Sequence, residues 1–387
     1  MTSPSPAQIL RDLIAVPSVN PAHSRDPSIC GELRMAETFA RLLAERGFSV
    51  DILDNYQPER PSVIAHAGPA DGPSLMFEVH LDTVGVDHMS IDPFQARIEE
   101  GRLYGRGACD MKGATAALLH ALSPERVRAI AARGIRLLVV GAPDEECGTL
   151  GATTLAAQGI RADRALILEP TRCRPVIAHK GAYWYEVILH GRAGHGSQPQ
   201  SGVSTNEALA RLLPEILRAH KALQDMFIHP VLGCSSLNFG RIEGGHTYNI
   251  IPDRTLLQLD RRVVPNEAPE LFENALRHVL QELVRDGKLL SADCRLSSRT
   301  PAFATPADSS LVRQLQDAIH DVTGERPAPE GTSWVSDASP FAQVCGETLV
   351  FGPGDIAQAH TANEYITLEQ LDQAAAIFAS FLDNLVA

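Results

Sequence analysis

His80 and Asp82 close the apolar run Met76-Phe77-Glu78-Val79-His80-Leu81-Asp82, and Glu145 and Glu146 follow Leu137-Leu138-Val139-Val140-Gly141-Ala142. Glu169 follows Leu166-Ile167-Leu168, His360 stands in Gln358-Ala359-His360-Thr361, and Asp110 lies in the glycine-rich stretch Gly105-Arg106-Gly107-Ala108-Cys109-Asp110-Met111-Lys112-Gly113. Two imidazoles and three or more carboxylates, with no thiolate among them, suit a hydrolytic zinc, manganese or cobalt site rather than a structural zinc. Two such ions held close together need one carboxylate to bridge them, and another must stay unligated to move protons. Glu145 and Glu146 are adjacent, so their side chains diverge, and one can bind while the other faces water. Asp110 sits where a loop enters a helix; its short side chain either caps that helix or holds a positive charge beside the loop.

Taken singly, each acid reads as a cap or a solvated loop residue and each histidine as structural. Five segment ends all carrying a suitable residue point instead to a shared site. The elements that must gather them alternate: helical spacing over residues 7–15, 31–46, 113–122 and 151–158, and strand signals over 48–52, 63–67, 74–81, 135–141 and 165–168. The last three strands are near-continuous apolar runs, as expected of strands buried on both faces in an α/β sheet. Ligands in such sheets collect beyond the carboxyl ends of the strands, where His80, Asp82, Glu145, Glu146 and Glu169 all fall.

Past about residue 178 the pattern changes. Strands over 183–190, 235–241, 255–263 and 293–296 interleave with helices over 204–221 and 268–284, a ferredoxin-like order, with Pro214 expected to kink the first of these helices. A helix over 309–322, a strand over 348–351 and a last helix over 368–385 then resume the first pattern. We therefore expect one domain built from 1–178 and 297–387 and a smaller α+β domain, 179–296, inserted into it.

A length of 387 residues exceeds what one core usually spans, and 44% hydrophobic with 21% charged residues is ordinary for a globular chain. The net charge of −13 argues against a nucleic-acid partner. Seven cysteines without a C-x-x-C pair suit a reducing compartment, and Cys109 and Cys147 read as small buried residues. No membrane span is read, and Met1-Thr2-Ser3-Pro4-Ser5-Pro6 has neither a basic segment nor an apolar core, so a cytoplasmic location is the expectation, with any disorder confined to the first few residues.

His80-Leu81-Asp82-Thr83-Val84, Gly105 to Gly113, Asp144-Glu145-Glu146 and Leu168-Glu169-Pro170-Thr171 together resemble the motif series of the M20 co-catalytic metallopeptidases and deacylases, from the Pro17-Ser18-Val19-Asn20 loop to His360. The resemblance implies a zinc-peptidase-like α/β catalytic domain, with a mixed sheet between helices, and an inserted ferredoxin-like domain serving dimerisation or as a lid. It implies two zinc ions, with cobalt or manganese as substitutes: Asp110 would bridge them, His80 and Glu169 would complete one site, and Glu146 and His360 the other. Glu145 would be the general base, Asp82 would orient the His80 ring from two residues along the strand, and the Asp110–Met111 peptide would be cis. In the inserted domain, Gly194-His195-Gly196 resembles the loop whose histidine reaches the partner subunit's active site to stabilise an oxyanion. Asn249, within Gly244-Gly245-His246-Thr247-Tyr248-Asn249, and Arg262, in Asp260-Arg261-Arg262, would bind substrate, although His246 and Tyr248 depart from the family pattern.

Glu rather than Asp at 169, and the tail Gly352-Pro353-Gly354 through Gln358-Ala359-His360 to Glu364-Tyr365, resemble the deacetylase branch that releases L-ornithine and acetate from N2-acetyl-L-ornithine for arginine synthesis. The loop 333–340 could also contact substrate. A succinyl-diaminopimelate desuccinylase or a broad N-acyl-amino-acid deacylase is the alternative within the class. A non-catalytic amino-acid-binding protein is the alternative outside it, and would be expected to lack the base or a ligand. The partners expected are a small N-acyl amino acid and a second copy of the chain, with neither nucleic acid nor membrane.

Overall fold

A computed structural model describes residues 4–386; residues 1–3, on which the expectation of terminal disorder falls, and residue 387 lie outside the described residues. The chain divides into two compact units, one formed by 1–177, 304–330 and 336–387, the other by 178–303 and 331–335. The second unit thus closes later than the expected 296, because its last strand runs from Ser291 to Thr300, and it also takes in a short return segment. That strand alternates exposed and half-buried residues up to its buried last residue, Thr300, whereas only its centre signalled a strand in the sequence.

The first unit is organised by a mixed sheet. Its strands lie in the order Ser49–Gln57, Arg60–Ala67, Arg136–Ala142, Ser74–His80, Arg164–Ile167, Glu347–Val350, and Val176–His179 follows where the chain passes into the second unit. Arg136–Ala142, Ser74–His80, Arg164–Ile167 and Glu347–Val350 run parallel, so their carboxyl ends share one edge. Six of the seven residues in Ser74–His80 and in Arg136–Ala142 are buried, which is why both read as unbroken apolar runs. Phe77 meets Phe378 and Phe381 of the helix Leu368–Asn384 edge-on at 6.1 and 6.4 Å, fixing that helix to the sheet.

A short helix and a small sheet escaped the periodicity. The helix Pro124–Ala132 is short and half-exposed, but Ser123 caps it by accepting the Arg126 N–H at 3.2 Å, with proline in its first turn. Three-residue strands, Arg97–Glu99, Arg102–Tyr104 and Tyr365–Thr367, form a small separate sheet.

The second unit follows the order strand, helix, strand, strand, helix, strand: Gly181–His190, Thr205–Met226, Ser236–Gly244, Arg254–Val263, Glu270–Arg285, Ser291–Thr300. Its four strands pair antiparallel, with Gly181–His190 lying between Arg254–Val263 and Ser291–Thr300. The helix Thr205–Met226 continues through Pro214 as one element, its buried stripe Ala208, Leu212, Ile216 and Leu223 seated in the unit's apolar core. Tertiary packing outweighs the one backbone bond that proline removes.

Candidate active site

The histidine that ends the strand Ser74–His80 donates from Nδ1 to the carbonyl oxygen of Asp82 at 2.9 Å. A carbonyl only accepts, so Nδ1 carries a proton there and Nε2 is the ring atom turned to the acids. Nε2 faces Asp110 Oδ1 at 3.0 Å and Glu169 Oε1 at 4.0 Å. On the other oxygen of Asp110, His360 Nε2 lies 3.3 Å from Oδ2 and 3.0 Å from Glu146 Oε2. Two donor sets result, His80–Asp110–Glu169 and Asp110–Glu146–His360, each with its ligand atoms within 4.8 Å of one another and both using Asp110. Asp110 is therefore no helix cap: the helix Lys112–Ala121 begins after Met111 without a side-chain cap, and the Asp110–Met111 peptide is cis. Gly107 adopts φ +82°, and a Cβ on Gly113 would run into the Ala108 carbonyl, so both glycines are required by the turn that aims Asp110.

The Asp82 carboxylate lies within ion-pair reach of the His80 ring and also holds a neighbouring turn. The strand stops at His80, so the two residues do not share a strand face; the Asp82 carboxylate is 3.7 Å from Nδ1 and the backbone carbonyl takes the ring instead. The carboxylate accepts the backbone N–H of Glu145 at 3.1 Å and of Glu146 at 3.2 Å, and so holds the acidic turn Glu145–Cys147. Asn20 ties this turn to its neighbours, its amide donating to Asp82 Oδ2 at 2.7 Å and to Asp144 Oδ1 at 3.0 Å. Behind it Arg60 pairs with Glu32 and donates to Asp144 Oδ1 at 2.6 Å, while Tyr56 donates to Asp144 Oδ2 at 2.8 Å. Sequence reasoning gave none of Asn20, Glu32, Arg60 and Asp144 a role. A signal existed at Arg60, a cation placed just before the apolar run Val63-Ile64-Ala65 of its strand. Cys109 is buried as expected, but Cys147 at the end of the acidic turn is exposed.

The site is electrostatically hungry for cations. Burial pushes the carboxyls of Glu145, Glu146 and Glu169 up, and the charges of neighbouring acids, Asp110 among them, add to it. Burial would also raise Asp110, but its bonds to His360 and His80 hold it below the ordinary carboxylate range. His360 is raised to about 10 by its bonds to Asp110 and Glu146. Burial disfavours the charged His80, yet Asp110 and the nearby Glu169 charge hold its pKa well above the usual value. The imidazoles thus keep protons where the acids want positive charge. Glu145 belongs to neither donor set and is half-buried beside them. Of the loop 333–340, Ser336 to Pro340 are buried, and burial together with the Glu78 charge pushes the Asp337 carboxyl well up.

His195, Asn249 and Arg262 all belong to the second unit. Exposed His195 accepts the Ser197 N–H at Nδ1, 3.2 Å away, which leaves Nε2 as the protonated, outward donor. Asn249 is exposed, and its carbonyl accepts the Gly196 N–H at 2.8 Å, coupling the two loops. Arg262 is half-buried and paired with Asp260 at 2.9 Å, whereas Arg261 is fully buried against Glu267 and Phe272. Of the two arginines, only Arg262 has solvent access.

The sequence model of peptidase family M20/M25/M40 matches residues 76–384, a stretch that contains both donor sets. The chain belongs to this family. It is a metal-dependent hydrolase. It is 35% identical over 353 residues to an acetylornithine deacetylase of Myxococcus xanthus, covering 88% of each chain. Aminopeptidase PepT from Bacillus cereus superposes with a TM-score of 0.77 at 20% identity, covering 98% of this chain and 97% of that one. The Bacillus subtilis YXEP protein, described as a dinuclear metal-binding M20 peptidase, gives 0.71 at 17% identity, covering 98% of this chain and 97% of its own. At such identities the likeness shows the fold. The donor chemistry of this M20 chain fits divalent ions: two imidazoles and three carboxylates converge, no thiolate is among them, and buried Glu146 Oε1 has no hydrogen-bond partner among the described residues. No described helix is long and apolar enough to cross a membrane.

Proposed function

We propose that this M20 hydrolase is a two-zinc deacetylase that cleaves N2-acetyl-L-ornithine to L-ornithine and acetate. The observation that carries the chemistry is the sharing of Asp110 by two donor sets with the unligated Glu145 beside them. His80, Asp110 and Glu169 would hold one ion and Asp110, Glu146 and His360 the other, with cobalt or manganese able to replace zinc. Bound there, the ions supply Lewis-acid polarisation of the amide carbonyl and acidify water. Glu145, its proton affinity raised by burial and by neighbouring acids, takes a proton from the attacking water and delivers it to the departing nitrogen. Asp82 keeps that carboxyl in place by holding the backbone of the turn.

The substrate follows from the acetylornithine deacetylase at 35% identity, with Glu169 and the 352–365 tail in support. The inserted domain would pair two copies of the chain. His195 would then donate Nε2–H to the oxyanion in the partner's site, while Asn249 and Arg262 bind the substrate, Arg262 through its carboxylate. The test is a panel of N2-acetyl-L-ornithine, N-succinyl-diaminopimelate and N-acetyl-L-methionine offered to zinc-loaded protein. The first should turn over with the highest kcat/KM; failure to hydrolyse it overturns the substrate assignment.

A further inference from the structure

Glu364 lies four residues past His360 and is 1% exposed. Its Oε1 accepts the backbone N–H of Cys109 at 2.9 Å and of Asp110 at 3.0 Å. Its Oε2 accepts the backbone N–H of Gly107 at 3.1 Å and Arg106 Nη1 at 2.6 Å. Successive backbone N–H groups converging in this way form an anion-binding nest, and here the anion is a side chain of the same protein. It is supplied by the segment that carries His360. The two segments are joined on the outer side as well: Gly105 N–H donates to the Glu364 carbonyl at 3.1 Å, and Tyr365 pairs with Tyr104 in antiparallel register.

We propose that Glu364 is a positioning residue for the metal centre, locking the Asp110 loop to the His360 segment and so setting the geometry at which one aspartate serves both donor sets. The inference rests on the reading of those sets as a metal centre. All four bonds are charge-assisted, and a buried carboxylate is stable only because every one of them is made. A glutamine has the same shape but one acceptor oxygen. Whichever way its amide is turned, the NH2 group faces two donors, either Cys109 and Asp110 N–H or Gly107 N–H and Arg106, and the loop must move away.

The experiment is a calorimetric zinc titration of the metal-stripped full chain, wild type beside Glu364→Gln, with circular dichroism and thermal melting of both. Wild type should take up two ions, and folded Glu364→Gln should bind at least about tenfold more weakly, the size of loss typical when a ligand's supporting bond is removed. A purely structural role would lower the melting temperature and leave the isotherm of the folded protein unchanged; that result overturns the proposal. Wild type that takes up no ion would overturn the reading of the centre, and this inference with it. Should Glu364→Gln fail to fold, Glu364→Asp, which keeps the charge but cannot span both sides of the nest, is titrated instead and judged by the same isotherm.

Discussion

Asp110 offers one oxygen to each imidazole, at 3.0 and 3.3 Å, and no other described residue belongs to both donor sets. Replacing it by asparagine removes the charge that two cations would share. Glu145, in contrast, belongs to neither set, so Glu145→Gln should leave zinc stoichiometry intact while lowering kcat roughly 10²–10⁴-fold, the usual worth of a positioned acid–base group. Metal analysis beside steady-state kinetics checks this; a variant with wild-type kcat would remove Glu145 from the chemistry. The protonated state of His360, raised to about 10 by Asp110 and Glu146, has a second consequence. At neutral pH an incoming cation must displace that proton, so zinc affinity should rise with pH from 6 to 8 and binding should release protons. Titrations in two buffers of different ionisation enthalpy measure the release directly. His80, Glu146 and Glu169 could be found in the sequence because each ends or follows a buried parallel strand. The work of Asp82 could not, since whether a ring meets a carboxylate or a carbonyl depends on where the strand stops.

The acidic turn Glu145–Cys147 has few contacts of its own and depends on elements far away in the chain. Its entry residue Asp144 sits at φ +70°, a left-handed conformation that an L-residue holds only under restraint. The restraint comes from Arg60 on the strand Arg60–Ala67 and Glu32 on the helix Glu32–Ala44, 84 and 28 residues from the partners they meet. Arg60→Met would leave both carboxylates buried without their cation. We expect a stability loss of about 3–5 kcal/mol by denaturant unfolding, and a fall in kcat in the folded fraction as the turn loosens. Wild-type stability would show that Glu32 and Asp144 find other partners. Periodicity revealed the strands and helices that carry these groups, since it reports burial. It was silent on the ion pairs between them, which join single polar residues across tertiary distances, and on three-residue strands too short to show a period.

At the scale of the whole chain, the inserted unit was visible as a change from unbroken apolar strands to alternating ones, and its sheet order is that of a ferredoxin-like fold. The short return segment 331–335 carries no such mark, because it is joined to that unit by tertiary contact alone. If the unit pairs two copies, sedimentation equilibrium should give a mass near twice 41.8 kDa. A mixture of His195→Ala and Glu145→Gln subunits should then regain activity that neither has alone, since one site in the mixed pair keeps both groups; no recovery on subunit exchange would place His195 outside the partner's chemistry. The position of the insertion also divides the ligands in time. His80, Asp110 and Glu169 all precede it, whereas the second set lacks His360 until the chain has been made well past the insertion. One donor set is therefore complete in sequence before the inserted unit is made, and the other only after it.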